Sequence, residues 1–505
     1  MPATPESPPA PVFAHLHLHS EYSLLDGGNK IDRLLARVKA LGMDAVAVTD
    51  HGNLFGAHEF YTKAKAAGIK PILGIEAYVA PDRDGKPGDR LDRTHTGQQD
   101  GGFHLVLLAE DIIGWKHLLK LSSDAFLQGF YYKPRMDKST LTKWGDGLIA
   151  INGHLGSSIA FHLVQFVHAG ATKSGASLEH WQRAVAEAQW HASVFKPNAK
   201  GEPRFYIELQ RHVPEQEEIH PHLIALAEEC GLPLVADNDA HFLLREDHDV
   251  HDTLCCISMQ KNKNDSTRLK YPEEIFVKSP EEMSALFPAP KEQEALRNAG
   301  RIAARCSVTL PKDEKHVPVV RVKHPGFSPK YESGDLTEWF KAYCAKFEVL
   351  PFDASGDQGS QAEMTLGCDA ALRDLCEAGL VWRYGQGGVT PAIRARLERE
   401  LKVLADKMIS AYFLIVWDFV NWARQRGIPA TARGSGVGTM VGFVLGLSNA
   451  CPETYGLLFE RFADPDRNEY PDIDVDICQD GRASVIEYVR KKYGHVAQIV
   501  TFGRL

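Results

Sequence analysis

Apolar residues at Ile31, Leu34, Leu35, Val38 and Leu41 recur at helical spacing and predict a helix over 30–42. The run Ala45-Val-Ala-Val-Thr-Asp50 that follows predicts a short buried strand ending at His51-Gly52. The alternation continues with helix 55–67, strands 71–79 and 104–108, helix 114–129, strand 147–152, helix 178–195, strand 204–209, helix 214–230 and strand 233–236. Residues 13–19 read as an opening strand ahead of them. Strands alternating with helices imply a parallel sheet, and about seven strands over this length imply a closed or nearly closed barrel.

Alternate residues of a strand share a face, so His17 and His19 point the same way, with His15 beside them and Asp26 after a short polar turn. His51, Glu76, His104, His154, Asp239 and His241 then fall at or just beyond strand ends, where barrel enzymes place their chemistry. Imidazole and carboxylate together suit zinc, manganese or iron, and a carboxylate such as Glu76 can bridge two ions. Two ions ~4 Å apart bind a phosphate ester, supply hydroxide near neutral pH and stabilise a leaving oxygen, so phosphoester hydrolysis is the natural chemistry. His58, His117, His162, His180 and His191 lie in helical stretches and read as structural or solvated.

Further along, 279–287 and a helix running through Arg305 close the first domain, and 311–329 reads as a connector. The expected division is a disordered tail over 1–12, a first domain over 13–285 and a second over 286–505. Residues 351–361 have loop composition. Helices are expected at 393–408 and 412–424. Ala432-Arg-Gly-Ser-Gly-Val-Gly438 then opens an apolar helix over 439–447, where backbone N–H groups can meet a phosphate, although plain capping or close packing is the commoner role of such a turn taken alone. In Tyr470-Pro-Asp-Ile-Asp-Val-Asp-Ile477, the apolar Ile473, Val475 and Ile477 alternate with Asp472, Asp474 and Asp476. Carboxylates so spaced repel one another unless cations lie between them, which leaves a magnesium site or a solvated edge. Magnesium is held by one or two carboxylates plus substrate phosphates, so the glycine-rich turn upstream suits nucleotidyl transfer.

Composition narrows the class. A chain of 505 residues exceeds one core, while 44% hydrophobic and 24% charged residues describe an ordinary soluble protein. A net charge of −9 argues against a uniformly basic nucleic-acid surface. Nine cysteines without C-x-x-C spacing suit a reducing compartment. The proline-rich leader lacks the basic start and apolar core of a signal peptide, and the strongly apolar run 440–447 is far short of the ~20 residues of a membrane span, so a cytoplasmic protein with no membrane partner is expected.

His17-Leu-His19, Thr49-Asp-His-Gly52, Gly74-Ile-Glu76, His104, His154 and Asp239-Ala-His241 resemble the motifs of the polymerase and histidinol phosphatase (PHP) domain. That resemblance implies an α/β fold, a distorted barrel of seven strands holding up to three metal ions. Phe13-Ala-His-Leu-His-Leu-His19, Tyr22-Ser-Leu-Leu-Asp-Gly27, Gly52-Asn-Leu-Phe-Gly56, Gly68-Ile-Lys-Pro-Ile-Leu-Gly74 and Gly129-Phe-Tyr-Tyr-Lys-Pro-Arg135 are similar to the start of the bacterial DNA polymerase III alpha family. Position 154 is histidine where many relatives carry cysteine, and either can bind metal. Leu457-Leu-Phe-Glu-Arg-Phe462, Arg433-Gly-Ser-Gly436 and Pro471-Asp-Ile-Asp-Val-Asp476 resemble that family's palm, which is similar to the palm of DNA polymerase beta.

The resemblance implies that Asp474 and Asp476 hold catalytic magnesium, that Gly434 and Ser435 contact the incoming triphosphate, and that Asp472 is a neighbour. It further implies DNA primer–template and dNTPs as substrates, a sliding clamp and other replisome subunits as partners, and a metal-dependent 3′–5′ exonuclease at the PHP site. The family's third palm aspartate lies far downstream, and nothing acidic follows Glu487 here, so the chain reads as an amino-terminal part and is not expected to synthesise DNA efficiently alone. Arg482, Arg490, Lys491, Lys492 and Arg504 make the last segment positive, as suits a face near DNA or a solvated helix face. Two alternatives stand beside this reading: a metal-braced PHP scaffold that docks a proofreading subunit, and a stand-alone PHP phosphatase, which would not need 286–505.

Overall fold

The computed structural model describes residues 13–81, 102–172, 174–311, 318–324, 329–352, 360–463, 471–494 and 496. The expected tail over 1–12, most of the 351–361 loop and much of the connector lie outside them. The chain divides into two compact units, Met1–Lys312 and Asp313–Leu505.

The first unit holds strands β1 (Ala45–Val48), β2 (Lys70–Val79), β3 (Phe103–Ala109), β4 (Phe130–Tyr131), β5 (Lys133–Met136), β6 (Leu148–Asn152), β7 (Phe205–Leu209) and β8 (Leu234–Ala236). They form one sheet in the order β4-β5-β2-β3-β6-β7-β8, with β1 also on β2. Residues 15–19 do not form a regular strand, yet they close the ring. Ala47 N–H donates to His15 O on one side, and on the other His19 N–H donates to Ala240 O and Ala240 N–H to His17 O. The ring therefore has seven members: this segment, β1, β2, β3, β6, β7 and β8. Its strands are buried along nearly their whole length, as in a sheet covered on both faces, with Leu16, Leu18, Val46, Ile72, Val106, Ile151, Ile207 and Val235 in the core.

The expected all-parallel sheet needs correction, because β3 runs antiparallel to both β2 and β6. Parallel neighbours require a crossover, and the sequence between β2 and β3 carries no helical pattern to supply one. Helix Ser158–His168 also escapes the hydrophobic pattern, since its apolar residues do not confine themselves to one stripe; Ser157 caps it by accepting from Ala160 N–H. Residues beyond 285 still belong to this unit. Helix Pro290–Arg305 lies along β8, with Asn298 donating to Leu234 O, Arg305 paired to Glu110 at 2.6 Å and Ser307 N–H bonded to Glu110 O. A boundary at 285 would have cut that packing.

The second unit packs helices Gln361–Tyr384, Pro391–Asp406 and Ser410–Gln425 around Leu372, Leu375, Leu397, Leu404, Phe413, Leu414 and Trp417. Two antiparallel ribbons join them, β9 (Val320–Lys323) with β10 (Glu348–Pro351) and β11 (Ala430–Arg433) with β12 (Asp474–Ile477). Residues 434–438 form a tight 3-10 turn, and the helix after it is only Met440–Val444, shorter than the expected 439–447. Gly446, at φ 74°, turns the chain out of the helix. Among the described residues no helix is long and apolar enough to cross a membrane.

Candidate metal centre and exposed carboxylates

All nine ligand-type residues expected in the first unit converge on one centre. The splice of residues 15–19 between β1 and Ala240 aims His17 and His19 inward. β2 brings Glu76, and the loops after β1, β6 and β8 bring His51, His154, Asp239 and His241. Asp239 itself is held at φ 44°, a left-handed conformation that a non-glycine residue adopts only under constraint.

Glu76 is the hub. Its Oε1 lies 2.8 Å from His104 Nδ1, 3.2 Å from His154 Nε2 and 3.4 Å from His17 Nε2, while Oε2 faces His51 Nδ1 and lies 3.3 Å from His19 Nε2. Asp239 Oδ1 lies 3.3 Å from His17 Nε2 and 3.2 Å from His19 Nε2. Asp26 Oδ2 lies 3.4 Å from His51 Nε2 and accepts the Tyr271 hydroxyl at 2.5 Å. The His19 ring stacks between those of His51 and His241, with centroids 4.0 and 4.3 Å away.

In four of the imidazoles one nitrogen is committed and the other is not. His17 and His154 each donate Nδ1–H to Glu208, at 3.0 and 3.1 Å, since a carboxylate can only accept. His19 donates Nδ1–H to Ser23 Oγ, whose own hydrogen goes to Asp50, and His241 donates to the Asp239 carbonyl at 2.8 Å. The Nε2 atoms of these four, with Glu76 Oε2 and Asp239 Oδ1, are buried without a hydrogen bond. Buried polar atoms left unpaired are costly, and so many aimed at one point suit a cation bound by nitrogen and oxygen.

Electrostatics follow from this crowding. Burial alone would raise Glu76, but the imidazoles of His104 and His51 hold it well below the carboxylate range. Burial opposes charge on His17 too, yet Asp239 and Glu208 keep its pKa well above the usual value, and Glu208 with Glu76 lifts His154 to about 9 against the same penalty. Burial and the neighbouring His19 bring His241 down to about 4. Protons held here must leave before a cation binds, so metal affinity rises with pH. The centre opens into a cleft of about 860 Å³ bordered by His51, His104, His154, His241 and Tyr271.

Sequence reasoning missed Glu208. Its signal was one carboxylate inside the otherwise apolar strand Phe205-Tyr-Ile-Glu-Leu209. His15 stands apart from the centre, its Nε2 bonded to Lys278 O.

In the second unit the register of β11 and β12 places Arg433 opposite Asp474 and Thr431 opposite Asp476. Ile473 and Val475 turn inward, and Asp472, Asp474 and Asp476 are exposed, as the alternation predicts. A Cβ on Gly434 would stand 3.6 Å from Asp474 Oδ2, so the glycine-rich turn adjoins the carboxylates, with Ser435 exposed on it. Arg433, passed over in the sequence, is the cation between them: Nε lies 3.2 Å from Asp476 and Nη2 4.0 Å from Asp474. Beneath the turn, buried Glu400 accepts Val441 N–H at 3.0 Å and pairs with Arg396, which in turn donates to Gly438 O and Leu457 O. Burial raises the Glu400 carboxyl to about 7.

Residues 15–212 match the PHP domain family, and residues 370–505 match the family described as the bacterial DNA polymerase III alpha NTPase domain. DNA polymerase III subunit alpha of Treponema pallidum is 37% identical across 98% of this chain and 37% of its own length. Those of Helicobacter pylori strain J99 and Thermus aquaticus are each 38% identical across 98% of the chain, and cover 38% and 40% of their own lengths. The chain thus spans about two-fifths of the length of these relatives. Among solved structures it is similar to a two-domain protein containing a PHP-like metal-dependent phosphoesterase from Bacteroides vulgatus, at 13% identity over 68% of this chain and 86% of that one. The TM-score of that match is 0.29. Each unit carries a family match, and similarity to DNA polymerase III alpha subunits runs unbroken through both.

Proposed function

We propose that the first unit is a metal-dependent phosphodiesterase that removes nucleotides from a DNA 3′ end, and that the second is the first part of the palm of a replicative polymerase. The observation that carries the first reading is the set of Nε2 atoms on His17, His19, His154 and His241, buried without hydrogen bonds around Glu76 and Asp239. His17, His19, Asp26, His51, Glu76, His104, His154, Asp239 and His241 would hold zinc, manganese or iron, up to three ions. Ions so held supply hydroxide near neutral pH and neutralise a phosphodiester and its leaving oxygen. The chain's own part is to orient the donors: Glu208 fixes two imidazoles, Ser23 a third and the Asp239 carbonyl a fourth. The cleft admits the phosphodiester to their exposed side.

In the complete enzyme Asp474 and Asp476 would hold magnesium, and Gly434 and Ser435 would meet the triphosphate of an incoming dNTP. Arg433 then exchanges its carboxylate partners for phosphate, which a guanidinium binds in the same two-pronged way. Primer–template DNA, dNTPs, a sliding clamp and other replisome subunits are the partners this reading requires, and its compartment is the cytoplasm.

The test is an end-labelled mispaired primer on a template, incubated with the chain and manganese. Shortening that chelator abolishes and that Asp239→Ala lacks supports the phosphodiesterase; an unchanged primer with the metals bound refutes it. A second reading, in which the ions only brace a scaffold that docks a proofreading subunit, is favoured by the complete burial of His17 and His19. It expects metal loss to melt the unit while the primer stays intact under every condition.

A further inference from the structure

Beside the cleft, β4 and β5 form a hairpin so tight that Tyr131 pairs with Lys133 and only Tyr132 lies between them. Tyr132 takes φ 57°, a conformation that glycine adopts freely and a tyrosine does not, yet its side chain is 78% exposed. Its ring neighbour is Tyr131, 4.7 Å away, and Phe130 and Leu127 just before it in the chain are 53% and 70% exposed. Phe126 lies between Phe130 and Phe55, with centroids 6.0 and 5.7 Å away, so the rings make a continuous shelf. The hairpin itself reaches the metal centre through Lys133 and Tyr78. Lys133 Nζ sits 4.2 Å over the Tyr78 ring, which stands 5.0 Å from His104 and 6.2 Å from His51. Large exposed rings on a strained turn work against folding and solubility, so they call for a binding role.

We propose that this hairpin is a stacking platform for unpaired bases of a single-stranded nucleic acid whose terminal phosphodiester lies in the cleft. Aromatic faces accept any base but only once it has left a duplex, and the Lys133 ammonium beside them complements the phosphate backbone. The hairpin leads into the centre that would cut that backbone, so one strand can occupy both. The proposal takes its substrate class from the phosphodiesterase reading; the shelf itself rests on the hairpin geometry.

Binding of a fluorescein-labelled twelve-residue oligothymidylate to the whole chain, with chelator present so that nothing is cut, tests the platform. Tyr132→Gly relieves the backbone and removes the ring, and Phe130→Ala removes a ring of the shelf. Each should weaken binding about 5- to 50-fold, and an abasic oligonucleotide of the same length should bind weakly and be indifferent to both changes. A Tyr132→Trp chain should lose indole emission when the base-bearing strand binds and keep it with the abasic one, which separates this site from binding elsewhere on the chain. Tyr132→Gly binding as well as the parent, no discrimination against the abasic strand, or no binding by the parent would each overturn the platform. If the strand stacks but is never cut with manganese restored, the phosphodiesterase reading fails and the platform stands. If it is cut at rates unaffected by Tyr132→Gly and Phe130→Ala, the platform alone fails.

Discussion

Glu208 shows how one side chain can govern a centre it need not enter. Its two oxygens hold His17 and His154 by their Nδ1–H groups, which leaves both Nε2 atoms facing Glu76. Glu208→Gln keeps the shape but can accept only one of those hydrogens. Metal affinity, read by chelator competition, should fall about 10- to 100-fold with little change in fold. A histidine far from the centre sets a pH dependence. Burial lowers the His162 pKa to about 4, so the unfolded chain binds its proton more tightly than the folded one. That contribution is fully present above about pH 6.5 and is lost as pH falls from there toward 4, to a limit of about 3 kcal/mol. Thermal midpoints at pH 7.5 and 4.5 should differ less for His162→Gln than for the parent; an equal difference would show that another group controls the window.

At the scale of elements, close approaches matter more than propensity. Helix Gln361–Tyr384 meets the short helix Met440–Val444 at Gly379, where an added Cβ would lie 2.2 Å from Val444 O. Alanine gains about 1 kcal/mol of helix propensity over glycine, whereas forcing backbone apart in a packed core costs about 1–3 kcal/mol. The second term should win, so Gly379→Ala should lower the denaturant midpoint, and a rise would mean that the two helices are free to separate. The glycine-rich turn hangs from the same short helix through Glu400 and Arg396, so its position depends on this packing. The hydrophobic pattern foretold the helices Ile31–Ala40, Ala57–Ala67, Ile112–Gln128, Gly175–Val194 and Pro214–Cys230 and the in-and-out alternation of Asp472 to Ile477, because each is a local period. It did not foretell helix Gln361–Tyr384, which buries residues on more than one stripe, or the reversal of β3, which depends on what connects it to β2.

For the whole molecule, two separate cores imply two responses to metal removal. Ions held among His17, His19 and Glu76, as proposed, would stabilise only the folded first unit, by an amount that grows with their free concentration. Calorimetry with and without chelator should therefore show one transition moving down and the other staying, and a common shift of both would refute independent cores. The sequence by itself determined the residue types at the strand ends, the carboxylate ladder beside the glycine-rich turn and the family motifs, since these lie in short runs whose period and spacing are local. Only the tertiary structure decided that Glu208 meets His17, 191 residues away, which nitrogen of each imidazole faces inward, and that Arg433 lies between Asp474 and Asp476. Those outcomes depend on distances between segments that no local pattern encodes, and they are what turns a set of ligand-type residues into a site.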